Sequence, residues 1–112
     1  MSQTLLLLPG DGIGPEVIEQ ARRVAEVLVP DLKFEEDLVG GASIDVHGEH
    51  LTVDALVKGK SSDAVLLGAV GGPQWAGVER HLRPEMGLLQ MSKGKDTLAN
   101  LRPASCFADL VD

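Results

Sequence analysis

Asp63–Val70, DAVLLGAV, is an apolar run of strand length that empties directly into Gly71–Pro103, GGPQWAGVERHLRPEMGLLQMSKGKDTLANLRP. The run reads as a strand buried on both faces, as in parallel sheets. A strand that ends in a Gly-Gly-Pro loop and is followed by a helix is where α/β proteins place ligands, outside the carboxyl end of the sheet. The loop carries Trp75, the only tryptophan of the chain, followed by Arg83, Glu85 and Arg102. An arginine fork binds carboxylate or phosphate oxygens bidentately. Between these charges Leu88 and Leu89 open a segment of helical spacing over Leu88–Leu98, weakened by Gly94. Charges flanking an apolar pair suit a ligand that is anionic at one end and apolar at the other.

Upstream, the same grammar repeats. Thr4–Leu8 is a short apolar run closed by Pro9-Gly10, a second buried-strand pattern. PGDGIGPE then turns the chain, with Pro15 suited to a first helical position and Glu16 to the first turn. Val17, Ala21, Val24, Ala25 and Leu28 recur at three- and four-residue spacing, which predicts an amphipathic helix over Glu16–Leu28, stopped by Pro30. Lys33–Val39 reads as a strand, Ala42–Val46 as a short helix or turn, and Thr52 as the N-cap of a helix running towards Lys60. Gly59 costs that helix about 1 kcal/mol against Ala and is a candidate early stop. The order β-α-β-α-β predicts an α/β fold with a parallel sheet, residues 1–112 forming one such unit.

Composition narrows the function. A chain of 112 residues, 44% apolar, buries one modest core. A formal net charge of −7 argues against nucleic acid or an anionic membrane as partner, because neither attracts an acidic surface. One cysteine, Cys106, excludes an internal disulfide and points to a reducing cytoplasm, where it is expected as a small buried filler. The amino terminus has neither a basic n-region nor a span-length apolar run.

Gly10-Asp11-Gly12-Ile13-Gly14 follows a strand and opens a helix, but the last position of a G-x-G-x-x-G fingerprint is Pro15 here, which lacks the amide a pyrophosphate needs. A close-packing strand–helix connection is the better reading. Asp11 and Glu16 then serve the turn and helix start, and Asp45 a turn or cap. His47, His50 and His81 lack metal-ligand spacing and read as loop residues. Trp75 reads equally as a plug that seats the loop on the body.

LPGDGIGPEV, VGGASID, DAVLLGAVGGPQW, RPEMGLLQM and ANLRPA, in this order from about Leu5 to Leu110, resemble the amino-terminal part of the isopropylmalate branch of the β-decarboxylating dehydrogenases. The resemblance implies NAD-dependent oxidation of 3-isopropylmalate followed by decarboxylation assisted by Mg2+ or Mn2+, in a cytoplasmic homodimer of leucine biosynthesis. Carried onto this chain, it implies that Gly72, Pro73, Gln74, Trp75, Arg83, Pro84 and Glu85 border the NAD site. Leu88 and Leu89 would accept the isopropyl branch, and Arg102 would clamp a carboxylate. The family's catalytic tyrosine and lysine, its metal-binding aspartates and its dimer-forming segments belong to later sequence, so no catalytic or metal-binding residue is expected within 1–112.

One position departs from the pattern. After the leucine pair the family has L-L-x-L-R-K, whereas this chain has Leu88-Leu89-Gln90-Met91-Ser92-Lys93, so a substrate arginine is replaced by Ser92. Serine supplies no charged fork. That keeps open a dehydrogenase fragment for tartrate or another alkylmalate, while the later segments that the resemblance implies are missing keep open a catalytically silent remnant. The resemblance also implies that strands from later sequence are missing from the sheet, leaving an apolar edge uncovered.

Overall fold

The computed structural model describes residues 3–75, 77, 83–95 and 103–110. Three parallel strands, β1 (Thr4–Gly10), β2 (Lys33–Glu36) and β3 (Ala64–Ala69), form a sheet of order β2-β1-β3. Thr4 pairs with Lys33, and Leu5 and Leu7 with Ala64 and Leu66. β1 lies in the centre, and Leu6, Leu7 and Leu8 are accordingly its most deeply buried side chains. Four helices complete the described fold: α1 (Gly14–Leu28), α2 (Gly41–His47), α3 (Val53–Ser61) and α4 (Glu85–Gly94). The expected α/β architecture is present.

Alternation along the strands divides the sheet into two faces. Leu6 and Leu8 join Val39, Leu51, Ala55 and Met91 in the core, with Val65 and Leu67 of β3 packed against it. That face is covered by α3 and α4. Leu7 and Leu66 point to the other face, which α1 covers by packing on β1 and β3. Gly14 at the start of α1 rests on Gly68, where an added Cβ would come within 3.0 Å of the Gly14 Cα.

Helix ends follow local chemistry. Pro15 occupies the first turn of α1, and Thr52 caps α3, its Oγ1 accepting from the Ala55 N–H at 3.1 Å. Gly59 does not stop α3 early. Its missing side chain instead seats Met91 of α4, whose Sδ would lie 2.2 Å from a Cβ placed there. Beyond it, the Lys95 ammonium donates to the carbonyls of Gly59 and Ser62, closing the C-terminal end of α3 with a cation. Helix α4 begins at Glu85, three residues before the leucine pair.

Other expectations are corrected. The face of α1 turned to the sheet carries Gly14 and Ile18; of the expected apolar series Ala21 and Ala25 are half-buried, while Val17, Val24 and Leu28 are exposed. The second strand ends at Glu36 rather than Val39, and Val39 is instead wholly buried in the core. His50 lies in the loop after α2, as expected, but is buried there, and Cys106 is exposed rather than a buried filler.

The α3–α4 contact predicts a sign reversal. Gly59→Ala lowers stability by about 1–2 kcal/mol because the new methyl overpacks Met91. In a Met91→Ala background the same change raises stability by about 1 kcal/mol, since helix propensity then acts alone. Urea denaturation of the four proteins measures both.

Candidate functional site

In a parallel sheet all carboxyl ends lie on one side, so the loops after β1, β2 and β3 converge there. Asp11 joins them. It is 8% exposed, and its carboxylate accepts three backbone N–H bonds: Gly41 and Gly71 donate to Oδ2, both at 2.8 Å, and Ala42 donates to Oδ1 at 2.6 Å. Its own N–H donates to the Ala69 carbonyl at 2.7 Å. One side chain thus fixes the start of α2, the end of β3 and its own turn. A carboxylate at a helix N-terminus also meets the positive end of the peptide dipoles. Asp11 was expected to serve its own turn and the start of α1; its carboxylate instead binds the start of α2, thirty residues away.

The Gly71–Trp75 loop departs from this anchor. Gly71 takes φ +94°, a backbone that favours glycine, and Pro73–Trp75 forms a 3-10 turn closed by Trp75 N–H donating to the Gly72 carbonyl at 3.0 Å. The Trp75 ring then lies on Gly41: a Cβ there would stand 2.3–2.6 Å from three indole atoms, Nε1 among them. The indole Nε1 is buried and has no hydrogen-bond partner among the described residues. Gly10, Asp11, Gly12, Gly41, Ala42, Asp45, Gln74 and Trp75 line a shallow polar cavity of ≈ 220 Å³.

Of the sequence-derived candidates, Gln74 and Trp75 line this cavity. Gly72 is half-buried, and Pro73 and Gln74 are exposed on the loop. Arg83 is exposed, and its carbonyl accepts from the Met86 N–H at 3.0 Å, while Pro84 is fully buried beside Gly40 and supports the entry into α4. Glu85 opens α4 and Leu89 stands 56% exposed on it. Arg102 and the side chains of Glu85 and Leu88 lie outside the described residues. A second concavity of ≈ 630 Å³ runs between α3 and α4, floored by Leu51 and Leu56 and edged by Lys60 and Lys93. Among the described residues no group of three His, Cys, Asp or Glu side chains is placed to hold a metal ion. No helix among them is long and apolar enough to cross a membrane.

The arrangement suits binding more than bond chemistry. It offers a fixed backbone rim, the exposed carboxamide of Gln74 and an aromatic wall. Sequence reasoning missed Asp11 as the organiser. The available signal was the pairing of Gly40-Gly41 and Gly71-Gly72 after two strands, since both mark places where backbone must come close to something.

A profile of the family described as isocitrate/isopropylmalate dehydrogenase matches residues 4–112. The 3-isopropylmalate dehydrogenase of Caulobacter vibrioides is 64% identical over 107 residues, which cover 96% of this chain and 31% of that protein. The enzyme of the same name from Saccharophagus degradans is 48% identical over 116 residues, covering 100% of this chain and 32% of its own length. The apo crystal structure of a β-decarboxylating dehydrogenase from Thermococcus kodakarensis superposes with a TM-score of 0.69 at 31% identity, over 84% of this chain and 27% of that one. The chain therefore spans about a third of the length of the relatives it matches.

Two substitutions test the rim. Asp11→Ala strands three donors, one buried and two part-buried, and lowers stability by about 2–4 kcal/mol, read by urea denaturation. Gly41→Ala displaces the indole, so the emission of the single tryptophan shifts to the red while far-ultraviolet circular dichroism is preserved.

Proposed function

Because the chain belongs to the isocitrate/isopropylmalate dehydrogenase family, we propose that it forms part of an NAD-dependent 3-isopropylmalate dehydrogenase of leucine biosynthesis, working in the cytoplasm. The observation that carries this reading is the rim at the carboxyl ends of three parallel strands, where Asp11 holds the Gly71–Trp75 loop beside an open polar cavity. The 64% identity to a relative of that name supports the choice of substrate.

In this reading the segment from Gly72 to Glu85 borders the nicotinamide cofactor, with Gln74, Trp75, Arg83 and Glu85 as its polar groups and Pro73 and Pro84 stiffening the backbone. The residues present fit such a role: the buried indole N–H has no hydrogen-bond partner among the described residues and Gln74 is exposed at the cavity. NAD, when bound, accepts the hydride from the substrate's secondary alcohol. Leu88 and Leu89 receive the isopropyl branch, and Arg102 pairs with a substrate carboxylate as a bidentate fork. Mg2+ or Mn2+ belongs to the complete enzyme, and no step through it is assigned to this chain. The same holds for the homodimer of full-length relatives. With no catalytic base or metal set assigned within 1–112, the 112-residue polypeptide binds substrate without turning it over.

Ser92 favours a second reading. It stands where the pattern has a substrate arginine, so one charge-assisted contact is lost and a smaller or differently charged malate becomes competitive. A fragment specific for tartrate or another alkylmalate is the alternative.

Isothermal titration of the chain with 3-isopropylmalate and Mg2+, against D-malate, separates the two. Tighter binding of the branched ligand is expected. Preference for D-malate sinks the isopropylmalate assignment, and no heat from either ligand in a folded sample leaves the chain a silent remnant. Ser92→Arg is expected to tighten 3-isopropylmalate at least about tenfold by restoring a charged contact. NADH formation from 3-isopropylmalate is expected to stay at the no-protein blank.

A further inference from the structure

Helix α4 docks along one stripe. Pro84, Gly87 and Met91, at three- and four-residue steps, are buried against the body, while Leu89 and Gln90 are exposed. Three seats along this contact are glycine. A Cβ on Gly59 of α3 would run into the Met91 Sδ, and one on Gly94 would stand 2.5 Å from the Leu56 Cδ1. Both of these neighbours are the ends of flexible side chains, which change rotamer when crowded.

Gly87 meets something firmer. A Cβ there would stand 2.8 Å from the His50 carbonyl oxygen and 3.0 Å from the Cγ2 of Val39, which is wholly buried in the core. The carbonyl cannot rotate aside, because it accepts the Gly40 N–H at 2.8 Å. Gly40 is itself enclosed: a Cβ on it would meet the Asp11 Oδ2 at 2.6 Å, the Val70 Cγ1 at 3.1 Å and the Pro84 Cβ at 3.3 Å. Beside it the Gly41 N–H donates to the Asp11 carboxylate. The first turn of α4 thus rests on two fixed points, Pro84 against Gly40 and Gly87 against the His50 carbonyl. Both are tied to Asp11.

We propose that Gly87 is a specificity-determining residue: it sets how far α4 stands from the core, and with it the depth of the pocket for the substrate's alkyl branch. This rests on the reading of α4 as the helix whose leucine pair receives that branch. Ordinary van der Waals contact begins at 3.4 Å, so a methyl on residue 87 lifts the first turn of α4 by about 0.6 Å. Leu89 follows two residues later, about 200° around the helix, and is 56% exposed on the opposite face. Lifting the turn carries Leu89 outward, towards a ligand whose carboxylates are held elsewhere. An isopropyl branch loses room that a methyl branch does not need. Small displacements suffice, since a misplacement of about 1 Å costs up to about 100-fold. One methylene in an apolar pocket counts for about 10- to 200-fold. The missing side chain at 87 is what gives the branch its space.

Isothermal titration of the 112-residue chain with 3-isopropylmalate and with 3-methylmalate, each with Mg2+, reads the preference for the branch. Gly87→Ala is expected to lower that preference at least about fivefold, 3-isopropylmalate losing more than 3-methylmalate. Adding Leu89→Val, which returns a methylene's worth of room, is expected to recover it. Gly59→Ala is the structural control, because it lowers stability through Met91 and leaves the preference unchanged. Val39→Ile presses on the same turn from the core side and is expected to act as Gly87→Ala does, so the test stands even where Gly87→Ala does not fold. An equal loss for both ligands, a preference untouched by Gly87→Ala and Val39→Ile, or a fall of the same size in Gly59→Ala overturns this inference alone. An unmodified chain that binds neither ligand, or does not prefer the branched one, overturns the substrate reading and this inference with it.

Discussion

A carboxylate withdrawn from water and satisfied by three backbone N–H groups holds the ends of this sheet together. Burying Asp11 as an ion is tolerable only because every donor around it is fixed and short, and charge-assisted bonds of that kind are about twice as strong as neutral ones. The donors come from segments thirty and sixty residues away in the chain. The bond network therefore forms only when all three strands are in register, and it couples the shape of the rim to the integrity of the sheet. The loop from Gly71 to Trp75 inherits its position from this carboxylate, and the Trp75 ring reaches its seat only because position 41 is glycine.

Away from the rim, the two faces of the sheet are covered unequally. The face under α3 and α4 has a sealed core built on Leu6, Leu8, Val39, Leu51, Ala55 and Met91. The face under α1 is covered, among the described residues, by one helix seated over β1 and β3.

Most of the fold was legible in the sequence because strands, turns and caps are local. The apolar runs at Thr4 and Asp63, Pro15 in the first turn and Thr52 as N-cap all express interactions within a few residues. What was misread depends on distance. Hydrophobic spacing in α1 names an apolar stripe but does not say which of two stripes meets the sheet, and Ile18, a single residue, outweighs the longer Val17–Val24–Leu28 series because Gly14 beside it allows close approach to Gly68. Gly59 reads as a helix breaker from propensity alone, whereas its function is a contact with a helix thirty residues on. Asp11 reads as a turn residue because its three partners are remote. The loop and its arginines drew attention for chemical reasons, and Arg102 with the side chains of Glu85 and Leu88 lies outside the described residues.

Order at the rim comes from within one chain. The rim crowns the carboxyl ends of the strands, where the Ala69 carbonyl accepts from the Asp11 N–H. Gly41, Ala42 and Gly71 are tied to one carboxylate, so the start of α2 and the exit from β3 are placed together, and a change in one segment is felt in the other.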